Sequence, residues 1–158
     1  MARSDNKEND DFILWIQDSL SLINTDSVRM RCLEQLAYMQ EIPSAHVVAG
    51  LLLRTLREDP NPVVRHEAAF ALGRLPQLEI QRDLVSDEIF SALCQSARTD
   101  PSTIVRHEAT EVLGNLEDSR VARVLHELAK DDNPDVALTA KLGLEHLALD
   151  QGTTKQDQ

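Results

Sequence analysis

Residues 63–75 read VVRHEAAFALGRL, and residues 104–116 read IVRHEATEVLGNL. Both carry Arg-His-Glu at the same place, then Leu-Gly and a closing Leu. Aligning the two brings out weaker copies at 25–39 (TDSVRMRCLEQLAYM) and 133–147 (NPDVALTAKLGLEHL). One column then holds Val28, Val64, Val105 and Val136, and a second Cys32, Ala68, Ala109 and Ala140. A third holds Leu36, Leu72, Leu113 and Leu144, and a fourth Met39, Leu75, Leu116 and Leu147. Steps of four, four and three residues put these columns on one stripe of an α-helix. Three residues ahead of each Val stand Thr25, Asn61, Ser102 and Asn133, residue types whose side chains accept a hydrogen bond from a first-turn amide. Pro62 and Pro134 follow at the first helical position, where a missing N–H does no harm.

Each marked helix is preceded by an amphipathic stretch, near 11–23, 43–58, 80–98 and 118–130. The copies are offset by 36, 41 and 31 residues (29→65→106→137). Such periods belong to solenoids of helical hairpins, in which each unit buries its apolar face only by stacking on its neighbours. The expected fold is therefore all-α: an α-solenoid of four helical hairpins, about eight helices, with repeats at about 11–40, 43–76, 80–116 and 118–149. The polar ends, 1–10 and 150–158, read as disordered tails. The pattern D-x-x-x-x-V-R-x-x-A-x-x-x-L-G-x-L resembles the HEAT-like repeats of the phycobilisome-lyase type. Asp59 with Arg65 and Asp100 with Arg106 match its Asp and Arg, which the resemblance makes structural.

Composition agrees with packed helices and narrows the partners. Of 158 residues, 42% are apolar but only 3% aromatic, so the core is built from Leu, Val, Ile and Ala. A net charge of −11 with no Lys/Arg run opposes nucleic-acid binding. The apolar runs are too short to span a bilayer and the N-terminus has no hydrophobic signal core, so a cytoplasmic protein away from membranes is expected. Cys32 and Cys94 lack CxxC spacing and read as free, mostly buried thiols.

The repeated His-Glu remains to be explained. At about 100° per residue, His66 falls nearly opposite the buried stripe of its helix, together with Ala69, Phe70 and Gly73. The same face of the later copy holds His107, Thr110, Glu111 and Gly114. A solvated face is usually rich in Lys, Glu and Gln. Small residues instead suit close approach by a partner or substrate. Equivalent helices of adjacent repeats stack about 8–10 Å apart, which would set His66 beside His107 as candidate metal ligands. Glu67 lies about 100° from His66, and Glu108 likewise from His107, so each Glu is expected to serve a second ion or to support the first.

These residues resemble deoxyhypusine hydroxylase, a HEAT-repeat di-iron monooxygenase whose inner repeats carry His-Glu and whose outer repeats lack it. The resemblance spans roughly residues 25–147 and corresponds to one half of that enzyme. It implies His66, Glu67, His107 and Glu108 as the metal site, iron as the cofactor, and hydroxylation of an aliphatic carbon. Because the chain supplies two motifs where that family uses four, the site would be completed by a homodimer holding two irons. Two other readings stand beside it: a non-catalytic HEAT-repeat adaptor binding a protein on its concave face, and a structural or sensing metal site. His126-Glu127 lies in the first helix of its hairpin, and His46 and His146 read as surface or packing residues.

Overall fold

The computed structural model describes residues 2–75, 85–116 and 118–153. Among them are eight α-helices and no strand. They run α1 (Ala2–Ser19), α2 (Asp26–Ala37), α3 (Ala45–Glu58), α4 (Pro62–Arg74), α5 (Val85–Thr99), α6 (Thr103–Gly114), α7 (Val121–Leu128) and α8 (Pro134–Thr153). This is the expected all-α hairpin repeat, and α2, α4, α6 and α8 are the four helices marked by the aligned columns. The chain forms two compact units, Met1–Ala92 and Leu93–Gln158, with the boundary inside α5.

Within the first unit, α4 packs against both α3 and α2, and α1 touches α2 and α3. Within the second, α6 packs against α8 and α7, and α7 against α8. The columns explain these contacts. Val64, Ala68 and Leu72 are 0% exposed, as are Val105, Ala109 and Leu113. Burying each such Val or Leu is worth about 1.5–3 kcal/mol relative to leaving it in water. The weaker copies follow the pattern less closely. Cys32 and Leu36 are buried, but Val28 is 40% exposed, and Leu144 and Leu147 are half-buried.

All four expected caps directly precede their helices, but only two act as caps. The Asn61 side chain accepts from the Val63 amide at 2.8 Å, and Asn133 from Asp135 at 2.9 Å. Thr25 and Ser102 make no side-chain cap hydrogen bond. Two expected boundaries move. The N-terminal tail is helical from Ala2, because its polar run contains no Gly or Pro to stop a helix and simply extends the amphipathic turn that follows. The C-terminal tail is likewise helical as far as Thr153. Position 1, the repeat edge at 76–84 and the last residues, 154–158, lie outside the described residues.

The Asp and Arg of the repeat form a ladder. The Asp59 carboxylate accepts from Arg29 Nε at 2.7 Å and Nη2 at 3.1 Å. It also accepts from the Asn61 amide at 2.9 Å, which fixes the loop before α4. The second unit repeats this: Asp131 accepts from Arg106 at 3.2 Å through both oxygens and from the Asn133 amide at 2.8 Å. Each arginine also donates back to its own loop, Arg65 to the Asp59 carbonyl at 2.8 Å and Arg106 to the Asp100 carbonyl at 3.1 Å. Both residue types are thus taken up in joining one hairpin to the next, as the repeat pattern implies.

Candidate functional site

The two His-Glu motifs fall in different units, and each has its own surroundings. In the second unit, His107, Glu108 and Glu111 lie one after another on α6. Each offers a donor atom, and these atoms lie within 4.8 Å of one another. His107 and Glu111 are one turn apart and share a face. Glu108 points to the flank, but its side chain is long enough to reach the same point. The expected separation of adjacent His and Glu therefore fails: it was drawn from Cα directions, and a glutamate's reach spans that angle. Glu108 is 8% exposed, His107 half-buried and Glu111 exposed, so the group sits at the rim of the packed helix, open to solvent on one side.

In the first unit, His66 Nδ1 stands 3.3 Å from Glu67 Oε1. Both side chains are about three-tenths exposed, at 30% and 28%. The residue one turn on, equivalent to Glu111, is Phe70. Its ring meets Tyr38 of the region after α2, with centroids 6.1 Å apart at 56°. The first motif thus offers one imidazole and one carboxylate, where the second offers an imidazole and two carboxylates. Repetition in sequence conceals this difference in donor set. Glu111, counted at first among residues facing a partner, belongs with the ligand candidates.

The rest of the expected partner face is largely covered by the chain itself. Ala69 and Thr110 are 0% exposed and Gly114 is buried. Phe70 and Gly73 are half-buried. Thr110 is tolerated inside because its hydroxyl donates to the Arg106 carbonyl at 2.7 Å. Gly114 faces Gly143 of α8: a Cβ on Gly114 would lie 3.3 Å from the Gly143 Cα, and one on Gly143 would lie 2.9 Å from Leu125 Cδ1. Small residues here serve helix-to-helix contact within the unit. A helix in a stacked array has neighbours on more than one side, which a single buried stripe does not reveal.

The third His-Glu pair has its carboxylate in an ion pair. Glu127 accepts from Arg98 at 2.6 and 3.0 Å, and that guanidinium holds its carboxyl below the usual range. Both cysteines are free and buried. Burial pushes the Cys32 thiol up to about 11, against a weaker opposing hydrogen bond from Ser19. No helix among the described residues is long and apolar enough to cross a membrane.

A family model of HEAT repeats matches residues 48–140 and 90–153. No curated protein matches the chain.

Proposed function

The chain belongs to the HEAT-repeat family, and from that premise we propose that it binds a metal ion through His107, Glu108 and Glu111. The observation that carries this is the convergence of three donor atoms within 4.8 Å on one helix. An ion with ligand bonds of about 2.0–2.2 Å spans donors no more than about 4.4 Å apart, so side-chain rotation alone closes the set. One imidazole and two carboxylates suit a borderline divalent ion such as Fe²⁺, Mn²⁺ or Zn²⁺ and leave positions for water or substrate. Bound there, the ion would supply Lewis-acid chemistry, or redox chemistry if it is iron. The protein's part is to hold the donors: the buried base of Glu108 fixes one carboxylate against α6, and the ladder through Arg106 anchors the first turn of that helix.

The finer reading is an iron-dependent monooxygenase. It draws on the sequence resemblance, with His66 and Glu67 adding donors and a second copy of the chain completing a two-iron site. Phe70 in place of a second carboxylate makes the first motif the weaker half of that arrangement.

The test is metal content. Protein from iron-supplemented cells, and apo-protein reloaded with Fe²⁺, Mn²⁺ or Zn²⁺, is compared with His107→Ala and Glu111→Gln. About one ion per chain, lost in both variants with the helical spectrum intact, supports the site. Metal that is absent from the wild type, or unchanged in both variants, overturns it. A His66→Ala variant that keeps all its metal removes the two-motif version.

A further inference from the structure

The chain has very few aromatic residues, with one Trp, one Tyr and three Phe, and four of the five pair with one another in the first unit. Phe12 and Trp15, one turn apart on α1, have centroids 5.9 Å apart at 29°. Tyr38, just past the end of α2, meets Phe70 at 6.1 Å. Between the two helices lies a shallow groove of about 550 Å³ lined by Phe12, Trp15, Glu34, Gln35, Tyr38 and Met39. Trp15 is 40% exposed and Tyr38 64% exposed. Burial in this chain's own core does not explain rings left this far in water.

We propose that this groove docks an arginine-bearing segment of a partner protein. Two features select that occupant. Its lining includes the three rings of Phe12, Trp15 and Tyr38, and aromatic rings attract a guanidinium both by stacking and through the ring quadrupole. The lining also holds the exposed Glu34, able to pair with the same group. The helices that line it have the matching sign: from Lys7 to Ala37 there are six carboxylates against Lys7 and two arginines, and one of those arginines, Arg29, is already paired with Asp59 and Asp26. A purely apolar partner helix would have to bury Glu34 beside its own side chains, at a desolvation cost that an arginine avoids.

Trp15 is the only tryptophan, so its emission reports the groove directly. The probe is a twelve-residue peptide of Gly and Ser carrying three arginines, compared with its twin in which citrulline, neutral and nearly isosteric, replaces each arginine. The arginine peptide should change Trp15 emission saturably, with the citrulline twin at least about tenfold weaker. Tyr38→Ala and Glu34→Gln, both at exposed positions that leave the core intact, should each weaken binding severalfold while the helical spectrum holds. Equal binding of the twins, or undiminished binding by both variants, overturns the proposal. So does a concentration-dependent dimer whose dissociation on Trp15→Ala shows that a second copy fills the groove. Binding that persists in His107→Ala keeps this result separate from the metal site.

Discussion

Arg29 and Asp59, thirty residues apart in sequence, meet through two hydrogen bonds of 2.7 and 3.1 Å with side chains only 3% and 2% exposed. A paired charge this deeply buried is a weak source of net stability but a costly thing to break, because the remaining partner is left short of its counter-charge. Arg29 keeps the half-exposed Asp26 at 2.7 Å, so Asp59→Ala is expected to destabilise the first unit by about 3 kcal/mol, the low end for a broken buried pair. The double variant Arg29→Met/Asp59→Leu should recover most of that. Urea unfolding of the three proteins measures both, and a double variant no better than the single would count against the argument.

The equivalent pair in the second unit predicts a pH effect. Burial pushes the Asp131 carboxyl up, but the Arg106 hydrogen bond and the Asn133 amide outweigh it, and the folded pKa lies below the ordinary value. A carboxylate depressed by folding stabilises fully above its unfolded pKa, about 3.9, and loses that contribution as pH falls through its folded value. Urea midpoints should hold steady from neutral pH to about 5 and drop below about 4. Asp118, held down chiefly by Arg120, adds to the same drop. Asp131→Asn should be less stable at neutral pH and show a shallower acid decline. Parallel pH profiles for variant and wild type would reject the assignment.

Identical substitutions at two helical glycines should differ in sign. Gly50, inside α3, has nothing within 4 Å of an added Cβ, whereas Gly114 has the Gly143 backbone at 3.3 Å. Gly50→Ala is expected to raise stability by up to about 1 kcal/mol through helix propensity. At Gly114 that gain is offset by pushing α6 away from α8, and the net effect should be zero or destabilising. Thermal melts of the two variants decide it.

The thiols should be unreactive in the folded protein. With Cys32 pushed up to about 11 and both cysteines at most 5% exposed, maleimide labelling at pH 8 should wait on unfolding. Full labelling of either thiol within minutes in native buffer would contradict their burial.

The hairpin repeat was legible because it rests on periodicity: the Val, Ala and Leu columns recur at helical spacing, and Val64, Ala68 and Leu72 are buried as that spacing requires. Four things were not legible. The first turns of α1 carry no apolar stripe, so nothing in the polar run separated helix from tail. Ala69, Thr110 and Gly114 looked like an open face because small residues suit any close approach, and only packing reveals that the approaching surface is the chain's own. Glu111 was set apart from His107 and Glu108 because helical angle fixes where a side chain starts, while its length fixes where its carboxylate ends. The aromatic groove escaped notice because Phe12 and Trp15 are far from Tyr38 in the sequence and line one groove only when α1 and α2 come together.

The ladder has a direction. Arg29 reaches forward to a carboxylate in the loop of the following hairpin, and Arg106 does the same with Asp131. Damage therefore travels backward along the chain. A substitution at Asp59 or Asp131 leaves its charge defect on a helix one repeat earlier, and hydrogen exchange should register the loosening in α2 or α6 rather than only beside the altered residue. Assigning a lesion in this array by its position in the sequence would name the wrong hairpin.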